Sequence, residues 1–225
     1  MQNELYIDGL SKTVRGQAVL DGLNLCLEPG SFYMLLGENG TGKTTFFRCL
    51  LGLASHSGTV RVIGAGGTAS SSRADFAPVL DRSSLFGSWT VKANVNYHLN
   101  NSRGHRLPVV EALVPRDMMR RMAGRLSTGQ RKIVMMAVAL ASEAPVLLLD
   151  EFANGLDFTH REQMRKHLRS AIEAGRIVIA TGHDLDAFEG LPTHVGKLAD
   201  GKLTDLTTAY QSTGRLKEIY ETPPQ

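Results

Sequence analysis

Residues 37–45 read Gly37-Glu38-Asn39-Gly40-Thr41-Gly42-Lys43-Thr44-Thr45, a Gly-x4-Gly-Lys-Thr spacing with a further glycine at position 40. The apolar run Ser31-Phe32-Tyr33-Met34-Leu35-Leu36 before it suits a buried strand, and Thr45 to Leu51 after it suits a helix with an apolar face. Strand, glycine loop and helix are the context in which this spacing forms a phosphate cradle. Glycines let backbone N–H groups turn inward, and the helix N-terminus adds partial positive charge. Lys43 is expected to reach β- and γ-phosphates, and the Thr44 hydroxyl to ligate Mg²⁺. Gly37, Asn39, Gly40, Thr41, Gly42 and Thr45 complete the expected cradle. The stretch predicts a nucleoside triphosphate site.

A chain of 225 residues with 42% hydrophobic and 21% charged residues is expected to form one domain, with room for an inserted subdomain. The formal net charge of +3, with both signs interspersed, argues against a dedicated nucleic-acid binder. Cys26 and Cys49 have no C-x-x-C spacing and read as buried small hydrophobes in a reducing compartment. No apolar run reaches the ~18 residues of a membrane span, and the N-terminus lacks a signal-peptide layout. A cytoplasmic chain that meets a membrane only through a partner is expected.

Along the chain, residues 4–36 read as β-rich, with alternation at Leu23, Leu25 and Leu27 before the turn Glu28-Pro29-Gly30. Ser57 to Ile63 reads as a turn and strand. Gly64-Ala65-Gly66-Gly67-Thr68-Ala69 fits the dinucleotide fingerprint, but Ser70-Ser71-Ser72-Arg73 follows where an apolar-faced helix is needed, so a turn is expected. From Trp89 the pattern is helical. Arg116, Arg120, Arg121 and Arg125 surround Met118, Met119 and Met122, as either a solvated face over a methionine contact or a docking surface. Val146–Leu149 and Ile177–Ala180 are continuous apolar runs, as in central parallel strands, with a helical pattern between them.

Val146-Leu147-Leu148-Leu149 ends in Asp150-Glu151, and a parallel strand delivers both carboxylates to the edge where the phosphate loop lies. Asp150 is a hard oxygen donor for Mg²⁺, and Glu151 can polarise an attacking water. Leu126-Ser127-Thr128-Gly129-Gln130 opens a further helix, with Ser127 its expected N-cap. With these three motifs in this order, the whole chain resembles the nucleotide-binding subunit of the ATP-binding cassette family, whose signature is usually Leu-Ser-Gly-Gly-Gln.

The resemblance implies an α/β fold: a P-loop NTPase core of mostly parallel sheet flanked by helices, an N-terminal antiparallel β-subdomain, and a helical subdomain inserted at about 87–143. It implies ATP and Mg²⁺ as cofactors, Glu151 and His183 as catalytic residues, and Thr44, Asp150 and Asp81 at the metal. Asp157, in Asn154-Gly155-Leu156-Asp157, is the acidic member of a loop at a dimer interface. Two cassettes, identical or not, close head to tail, so that Ser127, Gly129 and Gln130 of one face the ATP of the other. A membrane-spanning permease is the further partner, met on the cytoplasmic face near Asp81 and Trp89. The short stretch after Thr181-Gly182-His183-Asp184, which looks like the family's switch histidine segment, favours an exporter type; the alternative is an ATP-gated scaffold uncoupled from transport. The chain departs from the family at Val14, where an aromatic usually meets the base, at Asp81, usually glutamine, and at Phe152, usually proline.

Overall fold

The computed structural model describes residues 3–80, 85–102 and 106–221. Asp81, expected at the metal, lies outside the described residues. Two long strands, β1 (Glu4–Val14) and β2 (Gln17–Leu27), form an antiparallel hairpin, and β3 (Phe32–Leu36) leads into the glycine loop and α1 (Lys43–Leu50). β4 (Ser57–Ile63) and the two-residue β5 (Ala69–Ser70) complete a four-stranded sheet in the order β2-β1-β4-β5. The fingerprint-like glycines lie in the β4–β5 turn, where Gly64 N–H donates to Thr68 O at 2.9 Å. That segment is a hairpin turn, as its missing helix implied.

β6 (Phe76–Val79) precedes the helices α2 (Val91–Asn100), α3 (Leu107–Leu113), α4 (Arg116–Met119) and α5 (Thr128–Ala141). The chain then runs through β7 (Val146–Leu149), α6 (Phe158–Glu173), β8 (Ile177–Thr181), β9 (His194–Ala199), β10 (Lys202–Asp205), α7 (Thr207–Thr213) and α8 (Leu216–Glu221). The second sheet has the order β10-β9-β3-β8-β7-β6, parallel throughout except for β10. Because strand side chains alternate, the apolar runs of β3, β7 and β8 feed two cores. Met34, Leu147, Leu149, Val178 and Ala180 pack on the helical side. Tyr33, Leu35, Val146, Leu148, Ile177 and Ile179 pack with Phe46 and Phe47 of α1 and Leu5 and Ile7 of the antiparallel sheet. Truncating a fully buried ring such as Phe47 to alanine costs about 3–5 kcal/mol in a site of this kind.

The structure bears on three finer points. β1 runs 11 residues, with register shifts against both of its partners along the way. Cys26 is exposed, since it alternates with the inward Leu27, while Cys49 is buried as expected. Among the methionines of the basic stretch Met118 is buried, Met119 half-buried and Met122 exposed, and all four arginines face solvent. Exposed arginines beside a buried Met118 fit the solvated face and the docking surface alike.

Candidate functional site

Parallel pairing of β7 with β8 and of β8 with β3 brings three strand ends to one edge of the sheet. β3 delivers the glycine loop, β7 delivers Asp150 and Glu151, and β8 delivers Thr181 and His183. Gly42, the N-cap of α1, has φ +109°, and a Cβ there would stand 2.9 Å from Val19 Cγ1 of β2. The antiparallel hairpin therefore closes over the loop only if this residue has no side chain.

Lys43 is buried and donates from Nζ to the carbonyls of Gly37 and Glu38, each at 2.7 Å. Burial pushes its pKa down, and the carboxylates of Glu151 and Asp150 pull it back up. The cation thus stands at the loop, facing an acidic strand end. Thr44 Oγ1 donates to Asp150 Oδ2 at 3.1 Å, across 106 residues. Asp150 is itself buried, and its other oxygen accepts from Thr181 Oγ1 at 2.7 Å. One carboxylate and one hydroxyl side by side form a hard-oxygen pair, and no group of three or more acidic, histidine or cysteine ligands occurs among the described residues. That donor set fits Mg²⁺, which keeps waters and takes few protein ligands alongside phosphates, and does not fit a closed zinc site.

Glu151 adopts φ +48°, a conformation uncommon for a residue with a side chain. Its N–H donates to Thr181 O at 3.1 Å and to Thr181 Oγ1 at 3.2 Å, and its Oε2 accepts from Asn154 Nδ2 at 3.3 Å. His183 Nε2 lies 3.9 Å from Glu151 Oε1. Arg161 of α6 forms an ion pair with Asp184 and donates to Leu156 O at 2.9 Å, so the histidine segment is braced from α6. Thr181, Arg161 and Lys132 take part in this network without any motif that would single them out in sequence.

The signature residues start α5. Ser127 Oγ accepts from Gln130 N–H and Gln130 Oε1 accepts from Ser127 N–H, both at 3.2 Å, a reciprocal cap. The far end of α5 is held by the half-buried Arg176, which donates to the carbonyls of Ala139 and Leu140; desolvation and the nearby Arg106 pull its pKa down to about 10. Gly129 is half-exposed, and the nearest atom to a Cβ placed there is Gly155 O, at 4.0 Å. Asp157 caps α6: Oδ1 accepts from His160 N–H at 2.9 Å and Oδ2 lies 2.7 Å from His160 Nδ1. Those bonds, the backbone one first, hold its carboxyl below the usual carboxylate range. Val14 stands exposed at the tip of the β1–β2 hairpin, paired with Gln17. The phosphate-loop, β7 and β8 residues therefore converge, while Ser127, Gly129, Gln130 and Asp157 lie at the starts of two helices.

A family model described as ABC transporter matches residues 20–154. The chain belongs to the ABC transporter family. An Fe(3+) ions import ATP-binding protein of Rhodococcus jostii is 31% identical over 234 residues, which cover 99% of this chain and 65% of that relative. The chain thus spans about two-thirds of that ABC protein's length. An aliphatic sulfonates import ATP-binding protein of Delftia acidovorans is 33% identical over 207 residues, 89% of this chain and 82% of the relative. A solved ATP-binding subunit of an ABC transporter superposes with a TM-score of 0.80 at 22% identity, covering 96% of this chain and 97% of its own. The ABC ATPase fold is therefore shared in full, including the antiparallel sheet. Among the described residues no helix is long and apolar enough to cross a membrane.

Proposed function

We propose that this chain binds ATP with Mg²⁺ and hydrolyses it to drive a membrane-spanning permease subunit, acting as one of two cassettes closed head to tail. The observation that carries the reading is the meeting of Thr44 with Asp150 at 3.1 Å, beside the buried Lys43 and the left-handed Glu151. Lys43 exchanges its loop carbonyls for β- and γ-phosphate oxygens, a stronger charge-assisted bond. Thr44 and Asp150 would hold Mg²⁺, which supplies charge neutralisation at the phosphates when bound. Glu151 accepts a hydrogen bond from the attacking water and takes its proton as the bond from the γ-phosphorus to the leaving ADP oxygen breaks. His183 donates toward the γ-phosphate and keeps the water in line.

The half-exposed Gly129 and the exposed Ser127 support the reading that a second cassette's nucleotide lies against the start of α5. For the permease, support comes from an exposed aromatic group. Phe86, Trp89 and Tyr97 have ring centroids 4.6–5.7 Å apart beside a cavity of about 370 Å³ lined in part by Pro78, Tyr97 and Met135. Clustered aromatic rings exposed to water are costly on a monomer and common at interface centres. The site's side chains act on nucleotide alike in either direction of transport, and the two relatives above are both named for import. The expected export direction gains nothing from either.

Phosphate release by the full chain, with and without Mg²⁺, tests the chemistry. No Mg²⁺-dependent release would remove the ATPase assignment. Affinity capture from solubilised membranes tests the coupling: a polytopic membrane protein is the expected companion, and hydrolysis without one would favour the scaffold alternative.

A further inference from the structure

We propose that Lys132 is a positioning residue for the catalytic base: its ammonium clamps the turn that begins at Glu151 and so sets where the Glu151 carboxylate points. The proposal rests on the reading of Glu151 as the base. Lys132 lies one turn into α5, past the signature residues, and is only 6% exposed. A buried ammonium needs strong acceptors in place of water. Lys132 Nζ donates to Glu151 O at 2.9 Å and to Asn154 O at 2.8 Å, and stands 6.0 Å over the ring of Phe152, the residue between them that departs from the family's proline.

The two carbonyls are the ends of one turn, closed by Asn154 N–H donating to Glu151 O at 3.3 Å. Glu151 enters that turn at φ +48°, where residues with side chains are held only by their surroundings. Its N–H is tied to Thr181 of β8 and its C=O to Lys132 of α5, so the peptide planes on both sides of its Cα are fixed. Relaxing φ to an ordinary negative value would swing the carbonyl off the ammonium. It would also move the carboxylate away from His183 and from the Asn154 amide. The clamp therefore acts on direction, and catalysis by a general base depends steeply on direction.

The test compares Lys132→Met and Lys132→Arg in the full chain, each alone and combined with Glu151→Gln. Turnover, KM for ATP, affinity for a fluorescent ATP analogue and thermal unfolding are all measured. The clamp predicts that Lys132→Met lowers kcat by about tenfold to a hundredfold with KM and analogue affinity little changed. Lys132→Arg, which keeps charge and donors, recovers most of that loss. In the Glu151→Gln background Lys132→Met produces no further fall, since there is no base left to aim. A role confined to tying α5 to the sheet would instead lower kcat in both backgrounds, in step with the loss of thermal stability, and would overturn the proposal. So would wild-type kcat in a folded Lys132→Met. If Lys132→Met does not fold, Lys132→Gln decides, being neutral and one bond shorter: a several-fold lower kcat supports the clamp and a wild-type kcat sinks it. Wild-type turnover in Glu151→Gln alone would instead remove the base assignment, whatever Lys132 does.

Discussion

His183 Nε2 lies 2.8 Å from Asn39 Oδ1, joining the segment after β8 to the phosphate loop across 144 residues. An amide oxygen can only accept, so the contact is a hydrogen bond in the tautomer or charge state that carries a proton on Nε2, the atom that lies 3.9 Å from Glu151 Oε1. In that state the imidazole is offered to the site as a donor. Asn39→Ala removes that restraint on the ring and is expected to lower turnover by about 2- to 10-fold, the range of one neutral hydrogen bond. Steady-state phosphate release measures it. Unchanged turnover would mean that the bond does nothing to orient His183.

Glu151→Gln should keep nucleotide binding and cut hydrolysis by about 10²–10⁴-fold, because an amide cannot take the proton. The Asn154 Nδ2 bond at 3.3 Å can be kept by the amide oxygen, so the turn is expected to survive. With two cassettes closing over ATP, the variant should also elute as an ATP-dependent dimer in size-exclusion chromatography. A monomer in saturating ATP would count against the head-to-tail arrangement.

Asp157 caps α6 with a carboxyl held below its ordinary value of 3.8 by the His160 N–H and side chain. A lowered carboxyl pKa adds stability above the unfolded value, and this is lost as pH falls through the folded value. Asp157→Asn keeps a capping oxygen and removes the charge. The wild type should therefore melt higher than Asp157→Asn at neutral pH, and the gap should shrink as pH drops below 3.8. Thermal melts across that range check it; a gap that widens in acid would contradict the assignment.

Trp89 is 40% exposed and packs at a tilt against Phe86, with ring centroids 4.6 Å apart. Trp89→Ala should weaken association with the membrane subunit by at least about tenfold if the ring is an anchor, the scale of a central aromatic at an interface. Pull-down yield against detergent-solubilised permease is the measurement. Full recovery of the complex would place the contact elsewhere.

Much of the site is legible in the order of residues. The glycine loop, the strand ending in Asp150-Glu151 and the Ser127 cap are contiguous, so their spacing carries their geometry. The apolar runs of β3, β7 and β8 are equally plain, because a strand covered on both faces has no polar alternation to break. The length of β1 is not legible: its register shifts follow from partners on both sides, and Gly9, Ser11 and Lys12 look like a turn in isolation. Thr181 and Arg161 likewise carry no signal, being a strand residue and a helix arginine until parallel pairing sets them against Asp150 and Asp184.

The chain's order alone determined that a phosphate loop and an acidic strand end exist and share one edge, since parallel strands bring their C-terminal ends together, while His183 is singled out only by the family resemblance. Tertiary structure alone decided how they touch. Lys132 is an unremarked cation in a basic-apolar helix until α5 packs beside the Glu151–Asn154 turn, where burial forces its ammonium onto two carbonyls. Local pattern specifies backbone conformation through steric and hydrophobic period. It leaves no trace of hydrogen bonds between groups 19 and 22 residues apart, which form because a buried ammonium needs protein acceptors in place of water.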